Sequence, residues 1–328
     1  MSFLSVGDMA QSFVSQRQNF ALKTRLATLS SELASGQVSD VAAKLGAQSR
    51  QLIGLDYETE TTKAFLQNAQ RAAQDLGSVQ IHIGEIDQTL QSFLSDLVLD
   101  AGAGEAANIL RASDTATTQF ARVVNALNSA NLGQSVFGGT SEQAPMPDAE
   151  TLLDRLRLAV LPAPDLAGLS ASVDTWFASP TGFSAEVHTG TSRQIQIGQG
   201  ATVDVPATAD DPAIAKVLAA IAKVALADEV ASTAGGVNVF LTSTVSEAAS
   251  AKSGIVAVAA LVGRREQTAD EALSGLVARQ NANDIFRNQL TSADPFETAT
   301  KFQEVEAQLQ TSFAITARLS RLSLLDYL

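Results

Sequence analysis

The sequence predicts a mainly α fold: a long antiparallel coiled-coil helical bundle drawn from both chain ends, with a smaller α+β middle domain inserted. Three observations carry this. Apolar residues recur at alternating four- and three-residue steps near both ends, the signature of a helix stripe. Seven of the eight prolines fall between residues 141 and 239. Small and amide side chains dominate, and 328 residues include 1 Trp, 2 Tyr and no Cys.

The first helix is placed by Leu22, Leu26, Leu29 and Leu33, which share one face, with Gly36 as its stop. The second is stronger. Phe65, Ala69, Ala72, Leu76, Val79, Ile83, Ile86, Leu90, Phe93 and Leu97 keep a 3.5-residue repeat, a coiled-coil seam. From Phe65 to Leu97 that seam makes a rod of about 50 Å. Gly102-Ala-Gly104 breaks it, and a third helix carries Ile109, Ser113, Ala116, Phe120, Val123, Leu127 and Ala130. Two amphipathic helices around a short glycine turn predict an antiparallel hairpin.

The middle is read differently. Residues 193–205 alternate polar and apolar around Gly198-Gln-Gly200, a β-hairpin signal. Ala213 to Asp228 reads as a helix after Asp210-Asp-Pro212, and Val230 to Phe240 as loop or short strand. Helices resume near Thr244, with Ile255, Val258, Val262, Ala269, Ala272, Leu276, Phe286 and Leu290 on the seam and Arg265, Arg279 and Asn283 interrupting it. Asp294-Pro-Phe-Glu297 is a helix start, and Phe302, Val305, Leu309, Phe313 and Leu319 line the helix that follows. The expected units are residues 1–45 with 292–328 (terminal helices), 46–140 with 240–291 (bundle) and 141–239 (middle domain). Within the bundle, Leu76, Val79, Ile83, Ile86, Leu90, Phe93 and Leu97 are the expected seam.

Composition excludes several chemistries. The 22 basic and 35 acidic residues leave a net charge of −13, which argues against nucleic acid or an anionic membrane as partner. Residues 141–250 alone hold 5 basic and 13 acidic side chains, as a solvent-facing middle domain would. No apolar run approaches 18 uninterrupted residues, so no bilayer-spanning segment is expected, and the first ten residues lack a basic signal-peptide start. Without cysteine there is no thiol or Cys-ligated metal chemistry. His82 and His188 stand alone, and the acidic pairs Asp210-Asp211 and Asp228-Glu229 read as helix caps or solvated ends. Gly102-Ala-Gly-Glu-Ala-Ala107 fits a dinucleotide fingerprint by letters but follows a heptad helix rather than a strand. No catalytic set, cofactor or metal is expected.

The two end segments are amphipathic yet thin in large apolar residues, with Gln16, Gln18, Asn19 and Thr24 on one and Gln303, Gln308, Gln310, Thr311 and Thr316 on the other. One such pair is marginal alone, and from the pattern two ways of completing its burial stay open: packing within one chain as an intramolecular bundle, or lateral contacts with neighbouring copies.

Three patches then bring a family into view. Ser30-Ser-Glu-Leu-Ala-Ser-Gly-Gln-Val-Ser-Asp40, Val136-Phe-Gly-Gly-Thr140 and residues 294–310 with the ending Leu-Ser-Leu-Leu-Asp-Tyr-Leu328 resemble the flagellin superfamily over about residues 1–140 and 240–328. Within it the chain is more similar to the hook–filament junction members than to filament flagellins: the Phe-x-Gly-Thr patch and the ending favour them, and the flagellins' Asn-Thr-Asn start is absent. Asp40-Val-Ala-Ala-Lys-Leu-Gly46 stands where the family carries a proline-bearing acidic stretch.

The resemblance implies a non-enzymatic structural subunit of the bacterial flagellum, exported unfolded by a type III apparatus without a cleaved signal. Its ends would be disordered when free and fold as paired coiled-coil helices on assembly. Leu22, Leu26, Leu29, Leu33, Leu309, Phe313, Leu319, Leu322, Leu324 and Leu325 would form the assembly interface. Expected partners are other copies in a ring, the hook-side junction protein, flagellin and an export chaperone. Two alternatives stay open, a filament flagellin and an intracellular helical adaptor.

Overall fold

The computed structural model describes the backbone of residues 6–103, 107–161, 163–230 and 236–325. It is mainly α, with two small antiparallel hairpins, and divides into two compact units, Met1–Thr62 with Ala278–Leu328 and Lys63–Val277. Two 55-residue helices, α3 (Ser49–Ala103) and α9 (Val237–Thr291), contribute to both.

In the central unit the α3 stripe is inside: Ala69, Ala72, Leu76, Val79, Ile83, Ile86, Leu90, Phe93 and Leu97 are all buried. Helix α4 (Ala107–Leu127) returns alongside and adds Ile109, Ala116, Phe120, Val123 and Leu127. Helix α3 runs through Gly102 to Ala103, inside the expected Gly102–Gly104 break, and residues 104–106 lie outside the described residues. Ser113 on the α4 stripe is buried too, its Oγ 2.6 Å from the Ala225 carbonyl and 2.9 Å from Asp228 Oδ1. Ala130 departs from the expected stripe. The helix ends at Leu127, and Ala130 enters β1 (Ala130–Asn131), which pairs with β2 (Gln134–Ser135) across a two-residue turn.

Helix α9 runs antiparallel to α3 there, with Lys252 Nζ 3.6 Å from Asp87 and Gly77 against Glu266. Val237 to Phe240, expected as loop or strand, is its first turn, and Phe240 and Leu241 are buried. Over one 18-residue window α9 reaches a mean hydropathy of 1.4, long and apolar enough to cross a membrane. Single charges such as Glu247 and Lys252 interrupt that stretch, so it holds no unbroken apolar run of 18 residues. In the fold the helix gives Ala248, Ala251, Ile255 and Val262 to the core, and both charges are paired.

The proline-rich middle holds three well-capped helices: α5 (Ala149–Val160), α6 (Leu166–Ala178) and α8 (Pro212–Ala225), with the short α7 (Phe183–Glu186) between. Asp148, Asp165 and Asp211 cap the three by accepting from the backbone N–H of Thr151, Gly168 and Ala213. Helix α8 is apolar nearly all round and lies inside the unit. Strands β3 (Arg193–Gly198) and β4 (Ala201–Val205) form the expected hairpin, Ile195 opposite Val203. Their inward Ile195, Ile197, Val203 and Val205 are buried. Asn68 Nδ2 donates to the Gln196 carbonyl at 2.9 Å, Arg193 meets Asp75 at 2.7 Å, and Arg265 meets Asp204 at 2.8 Å, so the hairpin lies across α3 and α9.

Candidate assembly surface

The surface expected from the sequence lies in the terminal unit, where α1 (Val6–Ser35) and α10 (Pro295–Leu325) pack side by side. A clasp brings the two ends together. Gly36, at φ +70°, ends α1 and its N–H returns to the Glu32 carbonyl at 2.8 Å. Val38 N–H donates to Thr291 O at 2.9 Å, and Ala293 N–H to Gly36 O at 2.8 Å. Lys44, on the short α2 (Val41–Leu45), places Nζ 3.1 Å from the Leu290 carbonyl and 2.5 Å from that of Ser292, a cation on the exposed carbonyls ending α9. Asp294 Oδ1 accepts from the N–H of Phe296 and Glu297 and starts α10. Strand-like pairing and two caps thus fix where α1 ends and where α10 begins.

The seam between α1 and α10 is thin. Leu22 and Leu26 are half-buried and Leu29 buried on α1; Phe302 and Leu309 are half-buried and Val305 buried on α10. Leu33 and Phe313 fall outside it and are exposed, Lys23 Nζ standing 5.5 Å over the Phe313 ring. Toward the chain ends the four-three spacing continues in polar residues, Ser15 and Asn19 on α1 and Ser312 on α10, all half-buried. Leu319, Leu322, Leu324 and Leu325 lie outside the described residues as far as side chains are concerned.

Large apolar side chains point to water instead. Phe20 is 73% exposed and Phe296 83%, with Phe13 and Ile315 also exposed on the same two helices. The parts of α3 and α9 in this unit repeat the pattern. Asp56 and Arg287 pair at 3.0 Å, while Ile53, Tyr57, Ile285 and Phe286 are exposed. Phe286 was expected on the seam; Asn283, expected to interrupt it, is the buried residue, its Nδ2 without a hydrogen-bond partner among the described residues.

An open cleft of about 760 Å³ runs along the clasp, lined among others by Arg25, Glu32, Lys44, Asp294 and Lys301. Several of its charges serve the backbone or each other: Glu32 Oε1 accepts from Ser39 N–H at 2.7 Å, and Lys301 pairs with Glu297 at 2.6 Å.

The titratable groups weighed in the sequence are dispersed. His82 Nδ1 lies 2.8 Å from Glu85 Oε2 on α3, its ring edge-on to Phe137. His188 Nδ1 meets the Glu186 carbonyl at 3.1 Å. Asp211 caps α8, but Asp228 and Glu229 do more than cap. Asp228 takes the Ser113 hydroxyl, and Glu229 pairs with Arg157, an ion pair that raises the arginine above its ordinary value. Among the described residues no three His, Asp or Glu side chains are grouped as a metal site would need.

No protein-family model matches the chain, and no curated protein matches it either. Among solved structures, the fold is similar to a Vibrio parahaemolyticus protein described as flagellar hook-associated, with a TM-score of 0.55, covering 76% of this chain and 99% of that one. Identity over the match is 12%, so the likeness is one of fold.

Proposed function

We propose that the chain is a structural, non-enzymatic subunit of the bacterial flagellum that joins hook to filament through its terminal helices. The observation that carries this is the terminal pair. Both chain ends leave one clasp as an antiparallel pair whose seam holds few large side chains, while Phe13, Phe20, Phe296 and Ile315 face water. Burying an aromatic side chain stabilises by about 1.5–3 kcal/mol, so a second copy laid against these helices gains what one pair forgoes. The fold likeness to a protein described as flagellar hook-associated supports the same reading. The rival reading, a filament flagellin, lacks support from the Phe-x-Gly-Thr patch and the chain ending.

In this role the partners are copies of the chain in a ring, the hook-side junction protein and flagellin, with a chaperone during type III export. Residues 141–239 face outward, and the protein acts outside the cell. Deleting the gene in its host tests the reading: filaments fail to attach and flagellin accumulates in the medium. Phe20→Asp and Phe296→Asp leave the free chain as stable as wild type, because both side chains are exposed, yet block restoration of motility. Attached filaments in the deletion strain contradict the junction role.

A further inference from the structure

Asn19 lies on the inner stripe of α1, three residues before Leu22 and in line with Leu26 and Leu29. Its Oδ1 is buried and has no hydrogen-bond partner among the described residues. An unmet buried acceptor is costly, and leucine there would continue the apolar stripe and favour the helix. Asparagine therefore weakens the pair it sits in. A buried polar atom of this kind calls for a cause.

We propose that Asn19 is a polar key of the terminal interface: it keeps the α1–α10 pair loose in the free chain, and its Oδ1 gains a side-chain donor from a second copy of this chain. The inference rests on the assembly role above. The donors are at hand, since the outer faces of the same two helices expose Gln16, Gln18, Gln303 and Gln308. A glutamine amide on its two-methylene stem can reach past the flank of a neighbouring pair toward its seam, whereas a purely apolar partner leaves the acceptor unmet. Single buried asparagines in coiled coils control register and partner number by this difference. Asn19 stands where the α1 stripe passes from Leu22 to Ser15, so it divides an apolar half of the seam from a polar one.

The test uses the full chain as wild type, Asn19→Leu, Asn19→Gln and Ser31→Leu. Ser31 is exposed on α1 and controls for helix propensity. Amide hydrogen exchange is followed on the free chains, and assembly by sedimentation and electron microscopy. Asn19→Leu is expected to slow exchange across α1 about tenfold relative to Ser31→Leu, the equivalent of roughly 1.4 kcal/mol, and to lower assembly at least tenfold. Asn19→Gln retains assembly. Exchange no slower than in Ser31→Leu, or assembly of Asn19→Leu equal to wild type, overturns the key. A wild-type chain that does not assemble overturns the assembly role itself, and the key with it.

Discussion

Lys223 Nζ lies 2.7 Å from Asp174 Oδ2 on α6 and 2.6 Å from Glu247 Oε2 on α9, a buried ammonium held by two carboxylates that themselves reach water. The lysine side chain is 1% exposed, the aspartate 58% and the glutamate 42%. The asymmetry decides which loss is worse. Lys223→Met keeps the aliphatic volume and returns two carboxylates to solvent, at small cost. Asp174→Asn with Glu247→Gln strands a buried cation and is expected to cost about 3–5 kcal/mol. Urea unfolding of the two variants checks the order; a double variant as stable as Lys223→Met refutes it.

Leu132 is 94% exposed and has φ +50°, the one non-glycine residue in the left-handed region among the described residues. It takes the first place of the tight turn between β1 and β2, where asparagine or glycine is at ease. Leucine in that conformation costs about 1–2 kcal/mol. Leu132→Asn is expected to raise the thermal midpoint of the free chain, a gain that calorimetry measures directly.

Gly139 has φ +61°, and a Cβ there would lie 2.6 Å from the Thr191 carbonyl. The surrounding Phe-Gly-Gly-Thr patch is a packing junction: Phe137 is buried, Gly190 N–H donates to Gly138 O at 2.9 Å, and Thr140 N–H to Thr191 O at 3.0 Å. Gly139→Ala is expected to destabilise the chain by about 1–3 kcal/mol, read from urea midpoints.

Asp148 caps α5, and its bonds from Thr151, backbone first and hydroxyl second, hold its carboxyl below the ordinary carboxylate value. Folding favours the ionised form, so the stabilisation is complete above the ordinary value and disappears as pH falls through the lowered folded one. The difference in urea midpoint between wild type and Asp148→Ala is expected at neutral pH and to vanish in strong acid. A difference independent of pH contradicts the cap's ionic character.

Much of this fold is written in spacing. The α3 stripe is legible because large apolar residues, Leu, Val, Ile and Phe, recur from Leu76 to Leu97 without a break, and a buried seam needs little else. The α9 stripe is harder, since alanine carries much of it and Asn283 takes the inner place that Phe286 suggested. In α1 the stripe runs on through Ser15 and Asn19, which apolar periodicity passes over. Prolines hid α5 and α6, although Asp148 and Asp165 were available as start signals. Links such as Arg193 to Asp75, or Lys223 to Asp174 and Glu247, depend on tertiary placement and leave no local trace.

The most direct measurement is residue-resolved amide hydrogen exchange on the full chain, first as dilute free protein and then in assembled material. Expected are rapid exchange along α1 and α10 in the free chain, slow exchange along the buried α3 stripe, and strong protection of both end helices once copies pack together. End helices as protected as the α3 stripe in the dilute protein would show that one chain already completes its own pair, and would contradict the assembly role.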